Sequence, residues 1–159
     1  SADFTSFRRI NSNSLSPYIK CGANYINSRF GHLEVNYQRN NICYPIFLSE
    51  QDYVSESSGS SIFIVKDKTL YTPSISEDIL PSINRNLLIK KIQEIKILEV
   101  CERPIKRWEL LDSEGILLVG TNIEIVYVEN VGRHKINTNM DKVNLLFNTF
   151  KKILNDKLR

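Results

Sequence analysis

The stretch YVSESSGSSIFIVKDKTLYTPSISEDILPSINR, residues 53–85, sets the reading of the whole chain. Its middle, residues 57–73, is a loop and then a hairpin, with apolar β-formers on either side of a polar Asp67-Lys68 turn. Glu56 lies just ahead, among small residues and bracketed by hydrophobic strands. A carboxylate so framed is either a turn residue facing water or a buried group with a partner, because an unpaired buried charge is very costly. The end, LPSINR (80–85), turns a loop into a helix. It is either an ordinary helix cap or an anion site, where the amides of Ser82, Ile83 and Asn84 meet a phosphate at the positive end of the helix dipole.

Working outward, residues 3–10 read as a strand and 11–17 as a polar loop. Ile26, Phe30, Leu33 and Tyr37 recur at helical spacing, which predicts an amphipathic helix over 24–39 with that stripe as its apolar face. Residues 43–49 read as a strand that Pro45 confines to a sheet edge or to an irregular start. A helix over 80–95, with Pro81 near its first turn, precedes a strand at 97–103 and a short helix or turn at 105–114. Residues 115–131 give two strands broken at Gly120-Thr121-Asn122, and Met140, Val143, Phe147, Phe150 and Leu154 mark a C-terminal helix. The expected class is α+β, with about three helices and seven or eight strands.

Two further stretches carry candidate chemistry. Lys20 stands alone among uncharged residues in SPYIKCGANYINSRF (16–30), after a proline and before the small residues Gly22 and Ala23. It is either a solvated loop lysine or an amine that condenses with an aldehyde cofactor. The second role needs burial or a cationic neighbour to keep the amine neutral part of the time. Tyr25 follows five residues on, where one helical turn returns its hydroxyl towards the lysine. In VGTNIEI (119–125), Gly120-Thr121 is either a simple bulge or a small oxygen-binding site.

The bulk properties narrow the field. With 159 residues, 42% of them hydrophobic and 25% charged, the chain is long enough for one domain with a real core. A net charge of +3, no basic run longer than two residues and no aromatic array interleaved with arginine argue against nucleic acid. No apolar run is long enough to span a bilayer. Cys21, Cys43 and Cys101 are widely spaced, with neither metal-ligand nor disulfide patterning, and fit a reducing cytoplasm.

Individually these signals are weak, but their order is specific. Lys20, Asn24-Tyr25, Glu56, then Ser58, Ile62, Phe63, Leu70, Thr72, Leu80, Ser82, Ile83 and Arg85, then Gly120-Thr121, resembles the class IV (fold-type IV) pyridoxal-phosphate enzymes. That family comprises branched-chain aminotransferases, D-amino-acid aminotransferases and aminodeoxychorismate lyases. The resemblance covers about residues 4–137, and one signature position departs, with Ser61 where the family has Asn. It implies the larger C-terminal domain of the D-amino-acid-aminotransferase-like fold, a mixed barrel-like sheet with about three helices.

By position, the resemblance implies Lys20 as the Schiff-base lysine of pyridoxal 5'-phosphate and Tyr25 as the hydroxyl partner of the ring oxygen. It implies Glu56 as the carboxylate that keeps the ring nitrogen protonated. Ser82, Ile83, Asn84 and Thr121 would cup the phosphate, with Asn84 in place of the usual Thr. Thr121, Asn122 and Ile123 would hold the substrate carboxylate, although aminotransferases usually carry two alanines where this chain has Asn122-Ile123. The implied reaction moves an amino group between an amino acid and a 2-keto acid, of the branched-chain type. The Asn after Thr is closer to the lyases, and a non-catalytic remnant of the fold is a third reading. The family also has a small N-terminal α/β domain ahead of the region seen here. The expectations are therefore a fragment of a longer protein that forms a homodimer in the cytoplasm, with no metal.

Overall fold

The computed structural model describes residues 1–37 and 42–157. In chain order the elements are β1 (Ala2–Arg8), α1 (Gly22–Asn36), β2 (Tyr44–Leu48), β3 (Val54–Ser57), β4 (Ser61–Lys66) and β5 (Thr69–Thr72). There follow α2 (Ile83–Ile95), β6 (Glu99–Glu102), α3 (Arg107–Leu111), β7 (Gly115–Gly120), β8 (Glu124–Tyr127), β9 (Asn130–Val131), β10 (His134–Lys135) and α4 (Met140–Lys157). The α+β class holds. The strands divide between two five-stranded sheets, ordered β10-β9-β1-β2-β3 and β6-β5-β4-β7-β8, and the described residues close no barrel.

Each sheet contains a parallel pair bridged by a helix, as parallel strands require a crossover. Helix α1 joins β1 to β2, and α2 joins β5 to β6. The antiparallel pair β4–β7 is the hinge of the design. Its side chains alternate between two cores, following the period of two along a strand. Phe63, Val65, Leu117 and Val119 face α2 and α4. Ile62, Ile64, Ile116 and Leu118 face the first sheet, where they meet Ile46, Leu48 and Val54. Strands buried on both faces read as continuous apolar runs, which is why IFIV and GILLVG do.

Three sequence expectations are corrected. Strand β2 is an inner strand, and Pro45 is tolerated because it sits one residue from the strand's start, opposite Asp3. Strand β3, which carries Glu56, was not expected, because its residues VSES look like a loop. The third concerns α1. Its expected apolar face points outward, with Ile26, Phe30, Leu33 and Tyr37 exposed at 57%, 50%, 56% and 76%. The inner face is Asn24, Gly31 and Val35. It docks through polar and small groups: Asn27 Nδ2 donates to the Arg8 carbonyl at 3.0 Å, and Glu34 accepts from the Thr5 hydroxyl and the Ser6 N–H. The helix ends at Asn36, with Tyr37 as its non-helical C-cap, which corrects the expected span of 24–39; residues 38 and 39 lie outside the described residues.

Gly31 tests this docking. A Cβ there would stand 2.7 Å from Cε1 of the buried Phe47 ring. Alanine gains about 1 kcal/mol of helix propensity, whereas overpacking a rigid contact costs about 1–3 kcal/mol. Gly31→Ala is expected to lower stability by about 1 kcal/mol net in urea unfolding. A stabilised variant would mean that α1 does not rest on Phe47.

Candidate active site

The ends of both sheets and the start of α1 enclose a cavity of about 230 Å³. Its wall includes Lys20, Tyr25, Glu56, Ser82, Thr121 and Asn122, six of the expected site residues, brought from four separate stretches of chain. Lys20 sits in the turn ahead of α1, and Tyr25 projects from that helix's first turns, so both border the same space, but both are exposed and the described residues do not bury Lys20. Of the remaining expected residues, Ile83 and Asn84 open α2 beside Ser82 but do not line the cavity, and the Ile83 side chain is exposed. What they can offer is main-chain N–H groups of a first helical turn. Ile123 turns away and packs against the core between the sheets.

The loop 57–61 that carries the cavity's floor is held in a tight reverse turn. Ser57 and Ser60 exchange main-chain hydrogen bonds of 2.9 and 3.2 Å around Gly59, whose φ is +71°. The end of β7 presses against this turn. A Cβ on Gly120 would lie 2.5 Å from the Gly59 carbonyl oxygen and 3.1 Å from Ser60 Cβ. Gly120 is thus the residue that lets Thr121 and Asn122 close over the cavity.

Glu56 is buried on β3, and each carboxylate oxygen has a partner. Arg9 Nη2 lies 2.9 Å from Oε1, and the Leu80 N–H donates to Oε2 at 3.0 Å. Burial is the largest influence and pushes the Glu56 carboxyl above the usual carboxylate range, while the Arg9 charge and the Leu80 hydrogen bond pull it back. Arg9, itself 4% exposed, is a member of the site that the sequence did not disclose. An Arg-Arg pair at the end of a strand has no pattern separating a buried cation from a solvated one.

With this geometry in view, the comparisons with known proteins become specific. The family described as amino-transferase class IV matches residues 2–131. The chain belongs to that family. Among curated class IV relatives, a probable branched-chain-amino-acid aminotransferase of Aquifex aeolicus is 36% identical over 138 residues, covering 85% of this chain and 43% of that protein. The branched-chain-amino-acid aminotransferase of Escherichia coli is 33% identical over 127 residues, covering 80% and 40%. The solved branched-chain aminotransferase of Thermobaculum terrenum in its PLP form aligns with a TM-score of 0.87 at 31% identity, over 96% of this chain and 50% of that one. The chain therefore spans less than half the length of these curated relatives.

Two outcomes follow from the cavity wall. Gly120→Ala forces main chain against main chain and is expected to cost about 3 kcal/mol, whereas Gly59→Ala carries only a left-handed backbone penalty of about 1–2 kcal/mol. Thermal unfolding of the two variants would reverse in order if the β7 end did not touch the turn. The second concerns Glu56. A carboxyl whose folded pKa exceeds its unfolded value, about 4.3, stabilises the fold fully below that value and loses the contribution as pH rises through the folded pKa. Glu56→Gln abolishes the titration, so the wild type should lose stability relative to this variant as pH is raised from 4. A wild-type advantage that grows over that range would contradict the raised pKa.

Proposed function

We propose that this chain is the cofactor-binding half of a pyridoxal-phosphate-dependent aminotransferase acting on branched-chain amino acids and 2-keto acids. The observation that carries the proposal is the convergence of Lys20, Tyr25, Glu56, Ser82, Thr121 and Asn122 on one cavity. The match to branched-chain aminotransferases over most of the chain supports the substrate class.

The cavity suits the cofactor. Three wall residues carry a buried polar atom without a partner: Arg9 Nη1, Asn24 Oδ1 and Ser60 Oγ. Such orphans are uncommon in a folded interior and call for a ligand rich in oxygens and N–H groups. Pyridoxal phosphate, when bound, withdraws electrons from the substrate's α-carbon through its ring. The chain supplies the rest. Glu56 would accept the ring N–H and so favour a proton on that nitrogen. The Tyr25 hydroxyl would meet the ring oxygen. The Thr121 hydroxyl and the N-terminal amides of α2 at Ser82, Ile83 and Asn84 would hold the phosphate. Lys20 Nζ would supply the amine that faces the cofactor aldehyde and, when free, the general base that carries the α-proton. The amides at Asn122 and Ile123 would receive the substrate carboxylate.

The lyase reading is favoured by one feature, the Asn122 side chain on the cavity wall where aminotransferases have alanine. Amino transfer to a branched-chain keto acid, as against pyruvate release from aminodeoxychorismate, separates the two. The outward stripe of α1 suits the family's small domain, since the exposed Tyr25 beside Ile26 of the stripe also borders the cavity. The short share of each relative that the chain spans supports that partner, and the homodimer that the resemblance implies belongs to the same reading.

The deciding experiment is an absorbance scan with added pyridoxal phosphate, followed by borohydride reduction and peptide mass mapping. A visible band and a reduced adduct on Lys20, absent in Lys20→Ala, are expected. A folded protein with no adduct on Lys20, in the chain alone and in a version extended to the relatives' length, would overturn the proposal.

A further inference from the structure

Arg9 has more donors committed to the site than a surface arginine would. It lies immediately after β1, and its guanidinium is enclosed between β3 and the segment that follows β5. Nη2 meets Glu56 Oε1 at 2.9 Å, Nε donates to the Asp78 carbonyl at 3.2 Å, and Nη1 is buried with no partner. The main-chain N–H of Arg9 is fixed as well, donating to the Leu48 carbonyl at 2.9 Å. The side chain is therefore anchored at both ends.

The effect on Glu56 is geometric first. Its two oxygens are held by donors from two different elements, Arg9 after β1 and Leu80 before α2, so the carboxylate plane cannot swing. An ionised carboxylate has about four lone-pair positions, and two of them remain for a ligand. The effect is also electrostatic. A lone carboxylate in this interior would take up a proton, whereas a guanidinium at ion-pair distance favours the ionised form. When a carboxylate shares a proton with a ring nitrogen, a cation on the carboxylate side moves that proton towards the ring.

We propose that Arg9 is a positioning residue that fixes Glu56, oriented and ionised, as the acceptor for the cofactor's ring N–H. The proposal rests on the reading of the cavity as a pyridoxal-phosphate site. It makes Arg9 act chiefly through Glu56, so its loss should weaken a ligand that has a nitrogen in the ring more than one that has none.

The test compares pyridoxal phosphate with its analogue in which C–H replaces the ring nitrogen. Dissociation constants of both are measured for the wild type, Arg9→Gln and Arg9→Lys, with circular dichroism reporting the fold. Losing one charge-assisted contact should weaken pyridoxal phosphate about tenfold in Arg9→Gln. The analogue should bind unchanged or better, because Glu56 no longer faces the C–H as an anion. Arg9→Lys keeps the charge but not the planar fork, and should show a smaller loss of the same selectivity. If Arg9→Gln fails to fold, Arg9→Lys carries the comparison. Equal weakening of both ligands would overturn the proposal, because a structural support lowers every affinity alike, and it would leave the cofactor reading standing. Failure of the wild type to bind either ligand would remove both.

Discussion

The pairing of β4 with β7 is the constraint from which the rest of the molecule is arranged. Five consecutive register pairs, from Ser61↔Val119 to Val65↔Gly115, hold two strands that are buried on both faces. A slip of one residue would exchange the two cores, sending Phe63 and Leu117 towards the first sheet and Ile62 and Leu118 towards the helices. The ladder also ends where the cavity begins. Ser61 and Val119 form its last pair, and the chain beyond them on either side is Ser60-Gly59 and Gly120-Thr121. Packing demands on the sheet thus place two loops of the cavity wall in contact.

Around that fixed end the molecule accepts polar groups that a purely structural interior would avoid. Arg9, Asn24, Glu56 and Ser60 are all buried, and three of them retain an unpartnered atom. Breaking a buried ion pair by removing one member costs about 3–5 kcal/mol, yet replacing both members with apolar groups is often neutral or stabilising. Stability alone therefore does not account for Arg9 and Glu56. Their presence in the wall of a cavity is what a site organised around a charged, hydrogen-bonding ligand would require.

Legibility in the sequence followed the physics of each element. The hairpin of β4 and β5 and the existence of α2 were readable because their signals are local, a turn between two apolar runs and a helical period. Even so, α2 starts at Ile83, three residues later than expected, with Pro81 ahead of the Ser82 cap. Ser82 accepts from the Arg85 N–H as that cap requires. Helix α1 was readable as a helix but not in its orientation. Periodicity reports which residues share a face, not what that face meets, and here the inner face is built from Asn24, Gly31 and Val35 while the apolar stripe looks outward. Arg9 was hidden for a related reason. Its burial comes from Glu56 and Asp78, which lie 47 and 69 positions away in the chain, and no local pattern encodes such a partner.

The motif that revealed the family is also not an inventory of its site. Within its stretch from Glu56 to Arg85, Glu56, Ser61, Leu80 and Ser82 border the cavity, Leu80 while donating its N–H to Glu56. Thr72 and Arg85 work at one remove. The Thr72 hydroxyl donates to the Ile62 carbonyl at 2.8 Å, fastening β5 to β4. Arg85, 1% exposed, donates to the Pro73 carbonyl at 2.8 Å and pairs with Glu102 at 2.6 Å, tying the first turn of α2 to the ends of β5 and β6. That tie sets where the helix's free amides point, and so where an anion could rest against them. The basic residue of the motif is therefore a brace and not a ligand, and the spacing of the motif records the distance between brace and cavity. A substitution at Arg85 would move the first turn of α2 without removing any residue of the cavity wall.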